Sequence, residues 1–510
     1  MQKCKKILAA ILALLMLVSL VACAVPDDPE PPTSKPSDTK QQPGTEPPTE
    51  TTELDTTHPQ SGLPSKDYGG QDFRILGRGD QSAIWGRVRD IVYDSELVTT
   101  NSINEAVRDR NQYIEDLYKV NIKGIFVNSG TATAVKSSKN AGRDDYDIIE
   151  DSFAIYANLI DEGFLEDLNT ISPYLDLTQS YWNQNCRTGM SIAHVLYFCS
   201  GDIMTSDKEG CWAMTFNRDI INNDNALEDP YVLVDSKRWT YDKMYEMAAH
   251  VCNVSDYSPD DYFNVTWGVV SGTPNNYLMW QGSGNKLILK DDVTDIPYLG
   301  PLTEAGYDAM LDVAKVQYDK QVTLLSDNIK GIRDVNFDGV IKIFQTGHAL
   351  FNIGSLTMVE WMREHDTDFG VLPLPKAFEE QEAYYTSMSS TYAYAVAIPT
   401  SNQNHEFTAI ITQALACEST TTVLEGYYDK TLVHKGLRRP EDVRMLDLMF
   451  NARLYDLSEV FSWANSLISK ISAAKSEAKV KDIKSKYDGF STNINNNIKT
   501  FLEKHGLASN

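Results

Sequence analysis

The chain has 510 residues, more than a single compact domain ordinarily holds. Hydrophobic residues supply 42% of it and aromatics 10%, enough to bury a substantial core. The 71 acidic side chains outnumber 46 basic ones for a formal net charge of −25, which disfavours nucleic acid and anionic lipid headgroups as partners.

Lys3, Lys5 and Lys6 open the chain, and an apolar run over residues 7–20 follows, broken only by Ser19. The run is short for a membrane span and fits the hydrophobic part of a signal peptide. Leu20-Val21-Ala22-Cys23 comes next and resembles the bacterial lipobox, whose cysteine is acylated after cleavage just before it. The expectation is a signal peptide over 1–22 and a lipid on Cys23. The protein would then be anchored to the outer face of a bacterial cell membrane, with no other membrane contact. Residues 23–66 hold half of the chain's 20 prolines among many Thr, Ser, Glu and Asp. Such a segment cannot bury enough apolar surface to offset its ordering entropy, so it reads as an extended, disordered tether.

The body begins with alternation over residues 72–77, a strand pattern. Ser102-Ile103-Asn104-Glu105 has capping-box spacing, and Ile103, Ala106, Val107, Ile114 and Leu117 then share one helical face. Residues 120–127 read as a second strand and 146–149 as a third, with polar Glu150, Asp151 and Ser152 at its end. Strand, helix and strand at this spacing predict a right-handed parallel unit. Ligands of open α/β sheets bind at the carboxyl ends of strands, which points to the loops after Gly77 and Ile149. Further on, Thr240 reads as a helix N-cap. Phe407, Ile410, Ile411, Ala414 and Leu415 form one apolar stripe. Val460, Trp463, Ala464, Leu467, Ile468 and Ile471 form another, which places Trp463 in a core.

Several chemistries lack their residues. No phosphate-binding glycine loop, dinucleotide fingerprint, zinc-hydrolase helix or nucleophile elbow occurs in the sequence. Cys186, Cys199, Cys211, Cys252 and Cys417 have no metal-ligand spacing and read as buried free thiols, with one disulfide left open. No metal or cofactor is expected. Asp334-Val335-Asn336-Phe337-Asp338-Gly339 begins like a calcium loop, but its twelfth position is Gln345 rather than the bidentate Glu, so it reads as a turn before a helix near Ile341. Arg78-Gly79-Asp80 matches an adhesion tripeptide and is read as a chance occurrence.

Several phrases resemble extracellular solute-binding proteins of the family 1 type, the ligand-capturing lipoproteins of ABC importers, similar in architecture to maltose-binding protein. They include DYGGQDFRIL, YDIIEDSFAIYANLIDEGFLEDLNTI, CWAMTFNRDIINN, FQTGHALFNIGS and YAVAIPTSNQNHEFTAIITQAL, and the resemblance covers roughly residues 67–505. It implies an α/β class with a two-lobed periplasmic-binding-protein-like fold, a hinge and an interlobe ligand cleft. The first lobe would take residues 67–198 plus parts after 371, and the second 202–370. The chain would cross near residues 198–201 and again near 371–375.

The resemblance also implies non-enzymatic capture of a small solute, an oligosaccharide, and its delivery to ABC permease subunits. A lipid-anchored glycoside hydrolase and a surface adhesin are the alternatives. Sugar recognition pairs aromatic faces with planar polar groups. On that basis the ligand residues are expected among Asp151, Trp182, Asp202, Tyr277, Trp280, Gly354, Ser355 and Tyr392, with Trp85 a further candidate. Trp212 and Trp239 are read as structural.

The lipobox carries the first prediction. Cys23→Ala should release the protein into the medium or leave its signal uncut, as fractionation and mass spectrometry would show. A variant still cleaved before residue 23 and held at the membrane would contradict the assignment.

Overall fold

The computed structural model describes residues 58–79, 88–93, 102–128, 130–253, 262–272, 275–329, 338–362, 367–433 and 439–508. Cys23, most of the expected tether, Asp80, Trp85 and residues 334–337 lie outside the described residues. Thirteen strands are described: β1 (Gln71–Arg78), β2 (Val120–Val127), β3 (Ile148–Ser152), β4 (Trp212–Asn217), β5 (Trp267–Ser271), β6 (Ile288–Lys290), β7 (Pro297–Leu299), β8 (Thr323–Leu325), β9 (Ala349–Ser355), β10 (Phe369–Leu372), β11 (Thr386–Ser387), β12 (Tyr394–Ala397) and β13 (Arg453–Leu454).

Two sheets organise them. The first has the order β12-β3-β1-β2. β1 pairs in parallel with β2, Phe73 opposite Ile122, and with β3, Leu76 opposite Ile149. The helix Ser102–Tyr118 makes the crossover from β1 to β2 and buries Ile103, Val107 and Ile114 of the expected stripe, whereas Ala106 is half-buried and Leu117 is exposed. Ser102 is its first helical residue rather than a cap, and its hydroxyl donates to the Gly426 carbonyl. β12 joins the far edge antiparallel to β3 after a long excursion of the chain.

The second sheet has the order β10-β4-β9-β5-β8. β5, β8 and β9 run parallel, and β4 runs antiparallel to its neighbours. The carboxyl ends of β9 and β5, Ser355 and Ser271, therefore lie at the same sheet edge as Trp212, the first residue of β4. The helix Tyr241–Val251 packs beside this sheet, and the Thr240 hydroxyl caps it by accepting from the Lys243 amide.

The passages between the sheets differ from expectation. The first runs through residues 198–211. The second is not at 371–375, because residues 373–384 stay with the second sheet. The Trp239 indole donates to the Pro373 carbonyl at 3.0 Å, Lys376 exchanges backbone bonds with Trp239 and Tyr241, and the Tyr384 hydroxyl donates to Val234. The chain leaves only after β11. There Met388 pairs with Cys211 and, further on, Val396 pairs with Cys199, so the two passages run antiparallel side by side. A third stretch, 452–456, touches both lobes. β13 pairs with β11, Tyr455 stacks near Phe153, and the Asp456 carboxylate accepts from the Leu287 amide at 2.6 Å.

The expected tether does not run unbroken to residue 66. His58 stacks on Tyr113 with ring centroids 3.6 Å apart and meets Glu418 at 2.8 Å, and Lys66 pairs with Glu406. These residues pack on the first lobe because Tyr113 and the helix His405–Glu418 offer them an aromatic face and two carboxylates. The stripe at 460–471 is also less regular than a single helix. It comprises the 3₁₀ turns Leu457–Glu459 and Ser462–Ala464, then the helix Asn465–Ser472. The five described cysteines are free thiols, all buried except Cys252. No described helix is long and apolar enough to cross a membrane.

Trp463 sits in the core, as its stripe implied. Its ring stacks on Phe461 at 4.4 Å and meets the edge of Phe501 from the 28-residue helix Glu477–Lys504. Trp463→Ala should cost ~3–5 kcal/mol of folding stability by leaving a cavity between those rings. Denaturant unfolding measures it, and a loss under about 1 kcal/mol would show the ring to be peripheral.

Candidate functional site

Both parallel arrays point their carboxyl ends toward the passages, and the polar groups there are sorted by what already holds them. On the first lobe, β1 ends at Arg78 and β3 at Asp151 and Ser152. Asp151 lies inside the strand rather than past its end and is fully buried. Its carboxylate meets the Arg78 guanidinium at 3.1 Å and accepts from the Thr131 hydroxyl at 2.5 Å and the Ser152 amide at 2.6 Å. Asp151 is thereby saturated and aims Arg78, whose side chain keeps 26% of its surface open.

Beneath Arg78 a buried ionic layer ties the first lobe to the first passage. Arg110 donates to the carbonyls of Ile203 and Asp90, and the Asp90 carboxylate accepts from the Thr205 hydroxyl at 3.0 Å. Burial pulls the Arg110 guanidinium down to about 10, against the opposing pull of Glu150, Asp90 and Glu418.

Asp202, Asp207, Lys208 and Arg453 form the joint between passages. Lys208 lies 3.2 Å from both Asp202 and Asp207, and Arg453 reaches the other Asp207 oxygen at 2.5 Å. Burial alone would lower the Lys208 ammonium, but Asp207 and Asp202 overcome it and leave it raised. Asp202 thus serves the joint. Its amide also donates to the Tyr181 carbonyl, beside Gly201, where a Cβ would strike Tyr181 and Trp182.

The second lobe supplies Trp212, Gly354 and Ser355. Trp212 is 2% exposed, and its indole N–H has no acceptor among the described residues. Tyr392, from the second passage, lies with its ring 6.5 Å from the Trp212 ring. Ser355 pairs directly opposite Trp212 in the sheet. At Gly354 a Cβ would overlap the Met358 side chain, so the glycine makes room for that thioether. The buried Ser206 hydroxyl is another group without a partner. Ser390 and half-buried Glu459 close the set, the hydroxyl donating to the carboxyl at 3.4 Å. Burial, then the nearby Asp456 carboxylate, pushes Glu459 up to about 8. Near neutral pH its carboxyl therefore keeps a proton to donate.

The other aromatic candidates are buried, with their polar atoms bonded within the protein. Trp182 is buried and donates to Gln413 of the helix His405–Glu418 at 2.9 Å. Trp280 is 3% exposed and donates to the Gly306 carbonyl at 2.8 Å. Tyr277 is buried beside it, with its hydroxyl 2.6 Å from Ser458. Trp212 and Arg78 were missed as site residues. The signal for Arg78 was its place at the end of the first strand. For Trp212, the sequence offered none that separates it from a core indole.

No family model and no curated protein matches the chain. Solved structures do resemble it. The cyclic α-maltosyl-1,6-maltose binding protein of Arthrobacter globiformis aligns with a TM-score of 0.56 at 13% identity, covering 85% of this chain and 100% of that one. The maltose-binding periplasmic protein MalE of Listeria monocytogenes, in complex with maltose, aligns with a TM-score of 0.53 at 10% identity over 84% and 98%. The GacH receptor of Streptomyces glaucescens, known unliganded and with acarbose, gives 0.51 at 13% identity over 85% of this chain and 99% of that one. At these identities the likeness shows the fold, the two-lobed α/β architecture of solute-binding proteins.

Glu459 takes up a proton more readily in the folded chain than in the unfolded one. Its contribution to stability is therefore present at low pH and lost as pH rises from the usual carboxylate range through about 8. Glu459→Gln should flatten that part of the melting-temperature profile. Equal slopes for variant and wild type would show that the carboxyl is solvated.

Proposed function

We propose that the protein captures an oligosaccharide between its two lobes and hands it to the permease of an ABC importer, without catalysing a reaction on it. Cys23 would carry the lipid that keeps it on the outer face of the membrane. The observation that carries this reading is the unpartnered Trp212 indole N–H, buried beside Tyr392 and Ser355 where the second sheet meets the passages. A buried donor without an acceptor costs about 1–3 kcal/mol, a cost that a ligand hydroxyl removes. The named neighbours that align with maltose or acarbose bound support the same reading.

The roles divide among the site residues. Arg78, aimed by Asp151, donates to hydroxyls from the first lobe. Trp212 and Ser355 do so from the second, and Tyr392 offers a ring face to sugar C–H groups. Protonated Glu459 donates and Ser390 orients it. Gly354 shapes the wall through Met358. Asp202 keeps the joint, while Trp182, Tyr277 and Trp280 hold the lobes in shape around the cleft. The net negative charge of the chain favours a neutral glycan over an acidic one.

A thermal-shift screen of neutral oligosaccharides tests the reading. A ligand at 100 times its Kd should stabilise the protein by ~2.7 kcal/mol. Trp212→Phe keeps an aromatic ring and removes the N–H, so it should weaken the best ligand about tenfold, with the unliganded melting temperature measured alongside to confirm that the variant is folded. Wild-type affinity in that variant would place the ligand elsewhere, and release of reducing ends from the glycan would make the protein an enzyme.

A further inference from the structure

A cavity of about 730 Å³ is lined by none of the residues assigned to the sugar site. Its walls come from several parts of the chain. Tyr384 and Tyr385 precede β11, Leu448 and Leu454 flank the turn into β13, and Lys237 and Lys286 reach it from the second lobe. That volume is within the range that holds a small organic molecule.

The polar groups of the lining are unequally matched. Arg453 is already held by Asp207, and Asp235 pairs with Arg444 at 2.7 Å. Glu382 is exposed. Among the described residues, neither the Lys237 nor the Lys286 ammonium has a hydrogen bond or an ion pair. Lys286 is half-buried in the turn between the helix Asn276–Gly282 and β6, and burial lowers its pKa despite the opposing pull of Asp456. Lys237 is exposed at the rim, whereas the Lys286 ammonium is partly removed from water and is unfavourable until an anion meets it.

The apolar part is shaped as well. The Tyr385 ring lies against Gly284, where a Cβ would come within 2.6 Å of ring carbons, so that position keeps the ring down beside Lys286. Gly284 has φ +82°, a conformation suited to glycine. Lys237 has φ +60° although it is not a glycine, at the end of the helix Pro230–Asp235. Another wall includes Asn185, whose amide donates to the carbonyls of Asn451 at 3.1 Å and Arg453 at 3.0 Å.

We infer that this cavity is a second binding site, for an aromatic carboxylate. The carboxylate pairs with Lys286 and Lys237, and the flat hydrocarbon body lies between Tyr385 and the leucines. This site is separate from the sugar cleft and does not depend on what the cleft binds. Its occupant touches the Asn185 segment, which Trp182 holds to the first lobe, as well as second-lobe residues. Binding there is therefore linked to the relative position of those walls.

Calorimetric titration of the full-length chain with 2-naphthoate, and with neutral 2-naphthamide of the same shape, tests it. The carboxylate should bind about tenfold more tightly than the amide. Lys286→Met and Lys237→Met should each reduce that preference, and Tyr385→Ala should weaken both compounds alike. Circular dichroism melting of each variant verifies that it is folded. No binding of either compound to the wild type, equal affinities, or a preference unchanged in both lysine variants would overturn the inference.

Discussion

Asp207 has no access to solvent, and two cations, one adjacent in the chain and one distant, share its carboxylate. Lys208 follows it directly in the first passage, and Arg453 comes from the last. β11, on the second passage, pairs with β13 beside Arg453. All three connecting stretches are therefore fastened at one point. Removing one partner of such a pair strands a buried charge, at a cost of about 3–5 kcal/mol. The joint ties the connecting stretches between the two sheets together at their centre.

The groups near the joint then fall into two sets. Asp151, Asp202, Trp182 and Trp280 have their polar atoms satisfied within the protein, and they hold shape. Trp212, Ser206, Arg78 and Glu459 retain a free donor, an open face or a proton. A neutral polyhydroxylated ligand suits the second set, because each hydroxyl can accept from a fixed donor without bringing a charge into a low-dielectric space. The cavity lined by Tyr385 and Lys286 has the opposite character, with a half-buried ammonium group, without a partner among the described residues, beside an apolar wall.

The sequence made the first sheet legible because its cues are local. Alternation marked β1 and β2, and a helical stripe marked the crossover between them. The second passage was misplaced because nothing local keeps residues 373–384 with the second lobe. That depends on Trp239 donating to Pro373, 134 residues away, and on Tyr384 reaching Val234. The tryptophans show the same limit. Trp182, Trp212 and Trp280 are alike in sequence as large amphipathic side chains, and what separates them is an acceptor. Gln413, 231 residues from Trp182, and Gly306, 26 residues from Trp280, supply one, while Trp212 has none. Asp151 was found by its position at a strand end, but its saturation by Thr131 and Arg78 is a tertiary fact.

The central claim is that a solute sits between lobes that turn about the Asp207 joint. Small-angle X-ray scattering with and without a saturating glycan tests it most directly. The account predicts a smaller radius of gyration in the bound protein, as the lobes draw together. Measured binding with no change in that radius would contradict it, and would place the solute on one lobe alone.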